Sequence, residues 1–171
     1  MLADAMVLAD AGPVVIRYPR GLAPQVDEHD VGSMLAARRI RAASERSSAV
    51  CLIAVGKMLT AARRAAEELT AGGVDATVWD ARCCAPLDTS MLSDAGEHRG
   101  IVTIEDGVRD GGIGMTIADR IRADRPTVPV TVLGLPTRFI AHAATPEEIL
   151  ASLGLDHVGV VAAVRRTLAP T

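Results

Sequence analysis

The alternation of two apolar spacings constrains this chain more than any other feature. Ala49–Val55 is a continuous apolar run, and Met58, Leu59, Ala62, Ala65, Ala66 and Leu69 then fall on one helical face until Gly72-Gly73 stops the helix. Val74–Trp79 predicts a second strand, Asp88–Ala95 a short helix, and Ile101–Glu105 a third strand. Ile113, Ile117 and Ile121 mark the inward face of another helix, and Val128–Leu133 a fourth strand. Arg38–Ala43 adds an edge strand, Thr145–Leu153 a helix opened by Thr-Pro-Glu-Glu, and Val158–Leu168 a closing helix. Strands and helices alternating in this way imply a parallel sheet. The predicted fold is α/β: a three-layer α/β/α arrangement on a mostly parallel sheet.

A chain of 171 residues, 49% hydrophobic and 23% charged, suits one such domain, because two would be crowded. The opening segment has a different character. Met1–Ala11 reads as the last turns of a helix stopped by Gly12-Pro13, and Val14-Val15-Ile16 as a short buried strand ended by Pro19 and Gly21. Leu22–Ser33 is polar and irregular, a linker in composition. The expected organisation is therefore residues 1–21 as the tail of an earlier domain, 22–33 as a linker, and 34–171 as the main domain.

Several functional classes lose support. No apolar run approaches the roughly 20 residues that span a bilayer, so no membrane partner is expected. Asp4 and Asp10 lie in an opening segment without a basic start, unlike a secretory signal, which makes the cytoplasm the expected location. A net charge of -3 and 2% aromatic content argue against a nucleic-acid partner. Cys51, Cys83 and Cys84 form no Cys-x-x-Cys pair and read as core thiols. His29, His98, His142 and His157 are scattered away from metal-ligand spacing, so no metal site is expected. Neither a nucleophile elbow nor a phosphate-loop lysine is present, and Lys57 is the only lysine.

Three clusters remain as candidates. Arg17-Tyr18-Pro19-Arg20-Gly21 leaves the end of a strand, where α/β folds place ligands, and two guanidinium forks there could clamp a phosphate. Spacing alone favours a surface turn with two solvated cations. Glu105-Asp106-Gly107 precedes Gly111-Gly112-Ile113-Gly114 at a helix start, whose free amides can hold an anion, with the two acids as candidate proton-transfer groups. A tight turn that lets helix and strand approach closely explains the glycines better. Asp80-Ala81-Arg82 precedes Pro86-Leu87-Asp88, where Asp88 caps a helix and Arg82 can pair with Asp80 or with a neighbouring domain.

Taken in order, these blocks carry a resemblance. They include Val55-Gly56-Lys57-Met58-Leu59, Glu97-His98 before Val102-Thr103-Ile104, Gly134-Leu135-Pro136 and Leu153-Gly154-Leu155-Asp156. With Arg17–Gly21, the sequence resembles the junction and third domain of the 1-deoxy-D-xylulose-5-phosphate synthases, thiamine-diphosphate enzymes of the transketolase type. The resemblance implies a transketolase C-terminal fold over residues 34–171, with residues 1–21 as the tail of the pyrimidine-binding domain. It also implies a reaction joining pyruvate to glyceraldehyde 3-phosphate with loss of carbon dioxide, which supplies isoprenoid and thiamine precursors.

In that family the first domain holds the diphosphate and Mg2+ through a Gly-Asp-Gly motif completed by asparagine, and the second supplies the activating glutamate. This sequence has no asparagine, so neither thiamine diphosphate nor Mg2+ is expected to bind the chain alone, and no catalytic residue is expected on it. Arg20 would bind the substrate phosphate, with Arg17 and Tyr18 shaping the loop. The implied partners are the upstream cofactor-binding domains and a second copy in a homodimer. Glu105-Asp106-Gly107 departs from the two glutamates and asparagine common there, which leaves the turn's role open. The competing reading is a stand-alone assembly module or the subunit of a split thiamine-diphosphate enzyme. An unpaired strand at residues 14–16 speaks against it, because such a strand leaves its backbone groups unsatisfied.

Overall fold

The computed structural model describes residues 2–18, 31–142 and 145–169. Among the described residues five strands form one sheet: β1 (Arg38–Arg41), β2 (Val50–Ala54), β3 (Ala76–Asp80), β4 (Gly100–Val108) and β5 (Val130–Leu135). Their spatial order is β1-β3-β2-β4-β5. β2 pairs in parallel with both β3 and β4, β4 pairs in parallel with β5, and only β1 runs antiparallel, at the edge.

The described residues also form the α-helices α1 (Leu2–Leu8), α2 (Leu59–Ala71), α3 (Thr89–Ala95), α4 (Ile113–Asp124), α5 (Pro146–Ser152) and α6 (His157–Leu168). Successive strand residues point to opposite faces, so β2 serves two cores. Val50, Leu52 and Ala54 pack against Ala62, Ala65 and Leu69 of α2 and Val160, Ala163 and Val164 of α6. Cys51 and Ile53 face Met91 and Ala95 of α3 and Ile117 and Ile121 of α4. This is the predicted three-layer arrangement. Leu52 is fully buried at its centre, and Leu52→Ala should cost about 2–5 kcal/mol.

Helix starts follow the local chemistry. Asp88 accepts from the amides of Ser90 and Met91 at the start of α3, as read from the sequence. Thr145 and Glu148 form a reciprocal capping box with Pro146 at the first position of α5. Asp156 accepts from the Gly159 amide to open α6.

The structure corrects the reading of residues 14–16. No strand forms there, and Val15 is 94% exposed. The β-branched run signals extended backbone, but among the described residues no neighbouring strand accepts its hydrogen bonds, so no ladder forms. α1 does form over the predicted helix, continuing as a 3-10 turn at Ala9–Ala11, with no buried residue. The third predicted strand also runs further than expected: β4 continues to Val108, so Glu105 and Asp106 are strand residues and not a turn. Most of the expected linker, residues 22–30 of 22–33, lies outside the described residues.

Candidate functional site

β3 lies on one side of β2 and β4 on the other, so the strand order reverses at β2, and the carboxyl ends of β2 and β4 are where a sheet of this kind places its ligands. The Val55 amide donates to the Ile104 carbonyl at 2.9 Å, and Gly56, at φ 59, turns the chain sharply beyond it. The 3-10 turn Gly56–Met58 thereby carries Lys57 over the end of β4. Its ammonium lies 2.7 Å from Oδ2 of Asp106. Arg17 reaches the same residue from the amino-terminal segment, donating from Nη2 to the Asp106 carbonyl at 3.1 Å.

Neighbouring residues of a strand face opposite ways, so Glu105 turns inward where Asp106 turns outward. Glu105 is 5% exposed and accepts from the Gly114 amide at 2.8 Å and the Ile113 amide at 3.2 Å. The amides that could have held an external anion instead hold the chain's own carboxylate, at the positive end of the α4 dipole, in keeping with the close strand–helix packing favoured from the sequence. The glycine pattern follows. A Cβ on Gly112 would lie 2.5 Å from Glu105 Oε1, and one on Gly114 would lie 2.6 Å from Thr103 Oγ1, so close packing of strand and helix requires glycine at both.

The Cys84 thiol is pushed up first by desolvation and then by the charges of Cys83 and Glu105, with Arg17 opposing. The cysteines differ from the expectation of core thiols: Cys51 is buried, but Cys83 is half-buried and Cys84 exposed. Adjacent residues leaving β3 cannot both turn into the core. Arg82, at φ 51, sends its guanidinium to the carbonyls of Ser33 at 3.1 Å and Ala36 at 2.6 Å, while its backbone amide donates to Asp80. It ties the start of the main domain to the end of β3.

Of the predicted phosphate loop, Arg17 is docked on Asp106, Tyr18 is 80% exposed, and Arg20 lies outside the described residues. His98 is a structural residue: Nδ1 contacts the Asp94 carbonyl at 2.9 Å and Nε2 the Thr77 hydroxyl at 2.7 Å. The carbonyl can only accept, so Nδ1 carries the proton and Nε2 accepts from the hydroxyl. His29 is outside the described residues. Residue type and spacing assign Lys57 no chemical role; its place just beyond the central strand is the signal that marks it.

These residues do not fit a magnesium-bound diphosphate. Among the described residues no group of three or more His, Cys, Asp or Glu could hold a metal ion, and the α4 amides are taken by Glu105. An open groove of about 780 Å³ beside Arg39, Arg46 and Trp79 lies at the sheet edge, where Asp94 already accepts from all three. No described helix is long and apolar enough to cross a membrane.

The family model for the transketolase C-terminal domain matches residues 40–160. The chain belongs to this family. Relatives of this transketolase C-terminal domain include a 1-deoxy-D-xylulose-5-phosphate synthase of Thioalkalivibrio sulfidiphilus, 40% identical over 92% of the chain and 24% of that protein. Another, from Leifsonia xyli, is 41% identical over 90% of the chain and 23% of that protein. The chain thus spans about a quarter of the length of these relatives. A solved structure described as a split gene transketolase, inactive beta4 tetramer, superposes with a TM-score of 0.72 at 28% identity, over 87% of the chain and 48% of its own.

Proposed function

We propose that this chain is the third, C-terminal domain of a 1-deoxy-D-xylulose-5-phosphate synthase, a transferase that joins pyruvate to glyceraldehyde 3-phosphate in isoprenoid and thiamine precursor synthesis. The observation that carries this reading is identity of 35–41% to such synthases along nearly the whole chain. Thiamine diphosphate and Mg2+ belong to domains that residues 1–21 would join, which include the pyrimidine-binding domain. The cofactor supplies the electron sink for decarboxylation. This chain's own part is to bind and orient. Arg20 would contact the phosphate of glyceraldehyde 3-phosphate, with Arg17 and Tyr18 shaping its loop. Homodimer contacts and a cytoplasmic location belong to the same reading.

A second reading, the subunit of a split thiamine-diphosphate enzyme, draws on the split transketolase likeness. It assigns the same fold and the same need for a cofactor-binding partner.

The phosphate assignment is tested by Arg20→Ala in an enzyme assembled from this chain and the cofactor-binding domains. Losing one charge-assisted contact should lower kcat/KM for glyceraldehyde 3-phosphate roughly ten- to a hundredfold while pyruvate use stays nearly unchanged. Equal losses for both substrates would remove Arg20 from the phosphate site.

A further inference from the structure

We propose that Lys57 is a positioning residue for the segment bearing Arg17 and Tyr18, and that it acts through Asp106. Its ammonium fixes the Asp106 side chain, and the fixed residue presents its carbonyl to Arg17. The inference rests on the phosphate-loop reading for its functional meaning and on the geometry for its mechanism.

The segment needs such an anchor. Residues 13–18 join no strand, Val15 and Tyr18 are largely exposed, and among the described residues the bond from Arg17 to Asp106 is the hydrogen bond that ties this segment to the sheet. The strand is shaped to provide it. Register between β4 and β5 shifts between Ile104 and Val108, so the regular ladder is interrupted across Asp106. Gly107 offers no side chain, and a Cβ there would come within 4.0 Å of Arg17 Nη1, so the guanidinium lies against bare backbone.

Lys57 decides which part of Asp106 Arg17 receives. A free carboxylate beside a guanidinium would draw it into a paired fork. With Oδ2 held at 2.7 Å by Lys57, the carboxylate is already compensated and Arg17 remains on the carbonyl. Both contacts are solvent-accessible, so the pair directs a conformation and contributes little to global stability.

The composition supplies a direct probe. Tyr18 is the only tyrosine, so 3-fluorotyrosine labelling gives one 19F resonance from the loop itself. Lys57→Ala and Asp106→Asn should each shift and narrow that resonance, the double variant should add nothing further, and Lys57→Arg should restore the original signal. Melting temperatures should stay close to the parent's, which separates loop release from unfolding. In titrations with inorganic phosphate and with glyceraldehyde 3-phosphate, Lys57→Ala should weaken the response of Tyr18 by roughly two- to fivefold, the scale of one exposed ion pair. An unchanged resonance in Lys57→Ala and Asp106→Asn would overturn the positioning role. A resonance that moves in the variants but answers neither phosphate probe in the parent would leave that role standing and remove the phosphate reading instead.

Discussion

The Glu105 carboxylate lies 2.8 Å from the Gly114 amide and 3.2 Å from the Ile113 amide, so the first turn of α4 is closed by a strand residue. The contact joins α4 to the carboxyl-terminal part of β4, which also carries Asp106. Glu105→Ala leaves two amides and a small cavity behind, and should cost about 2–3 kcal/mol. Urea unfolding would show this as a lower midpoint with an unchanged slope. Glu105→Gln keeps one acceptor oxygen and should lose roughly half as much.

Beside it, Thr103 is fully buried and its hydroxyl has no hydrogen-bond partner among the described residues. A buried, unpaired hydroxyl is unfavourable, so Thr103→Val should raise stability by about 1 kcal/mol. Gly114→Ala should act the other way, because the new Cβ would meet Val132 Cγ1 at 2.8 Å, and overpacking of this kind costs about 1–3 kcal/mol. Melting curves of the two variants should move in opposite directions.

His98 gives stability a dependence on pH. Desolvation lowers its pKa from the ordinary 6.5, against opposing contributions from Asp94 and Ala95. The unfolded chain therefore takes up a proton at a higher pH than the folded one. The stability from neutral His98 is fully present above about 6.5 and is lost as pH falls from there through the lowered folded-state value. Unfolding free energies at pH 7.5 and 5.5 should differ in that sense, and His98→Gln should flatten the dependence over this interval. A His98→Gln profile as steep as the parent's would remove His98 as the cause.

Periodic elements were legible from residue types because their burial pattern is local. Ala62, Ala65 and Leu69 mark the inner face of α2 without knowledge of what they touch, and Asp88 and Thr145 announce helix starts through their own side chains. The site was less legible. Glu105 and Asp106 read as a turn because a strand end and a turn share polar residues, and only the continued pairing of Val108 with Leu135 shows that β4 runs on. Lys57 and Asp106 stand far apart in sequence and meet through the strand order. Val14-Val15-Ile16 has strand composition without a strand beside it, so intrinsic preference had no ladder to join.

The chain alone should not bind thiamine diphosphate with Mg2+, because Glu105 and Asp106, the acids near the carboxyl end of β4, are committed to α4 and to Lys57. Titration calorimetry should show no saturable heat. Micromolar binding, about -8 kcal/mol, would place a cofactor site on this domain after all.

On the proposed function, the chain orients substrate for chemistry carried out on other domains. Pyruvate-dependent release of carbon dioxide tests it most directly, measured for the chain alone, for a polypeptide carrying the cofactor-binding domains alone, and for the two together with glyceraldehyde 3-phosphate, thiamine diphosphate and Mg2+. The isolated chain should show no turnover and the mixture should show synthase turnover. Turnover by the isolated chain that survives removal of trace host enzyme would contradict it.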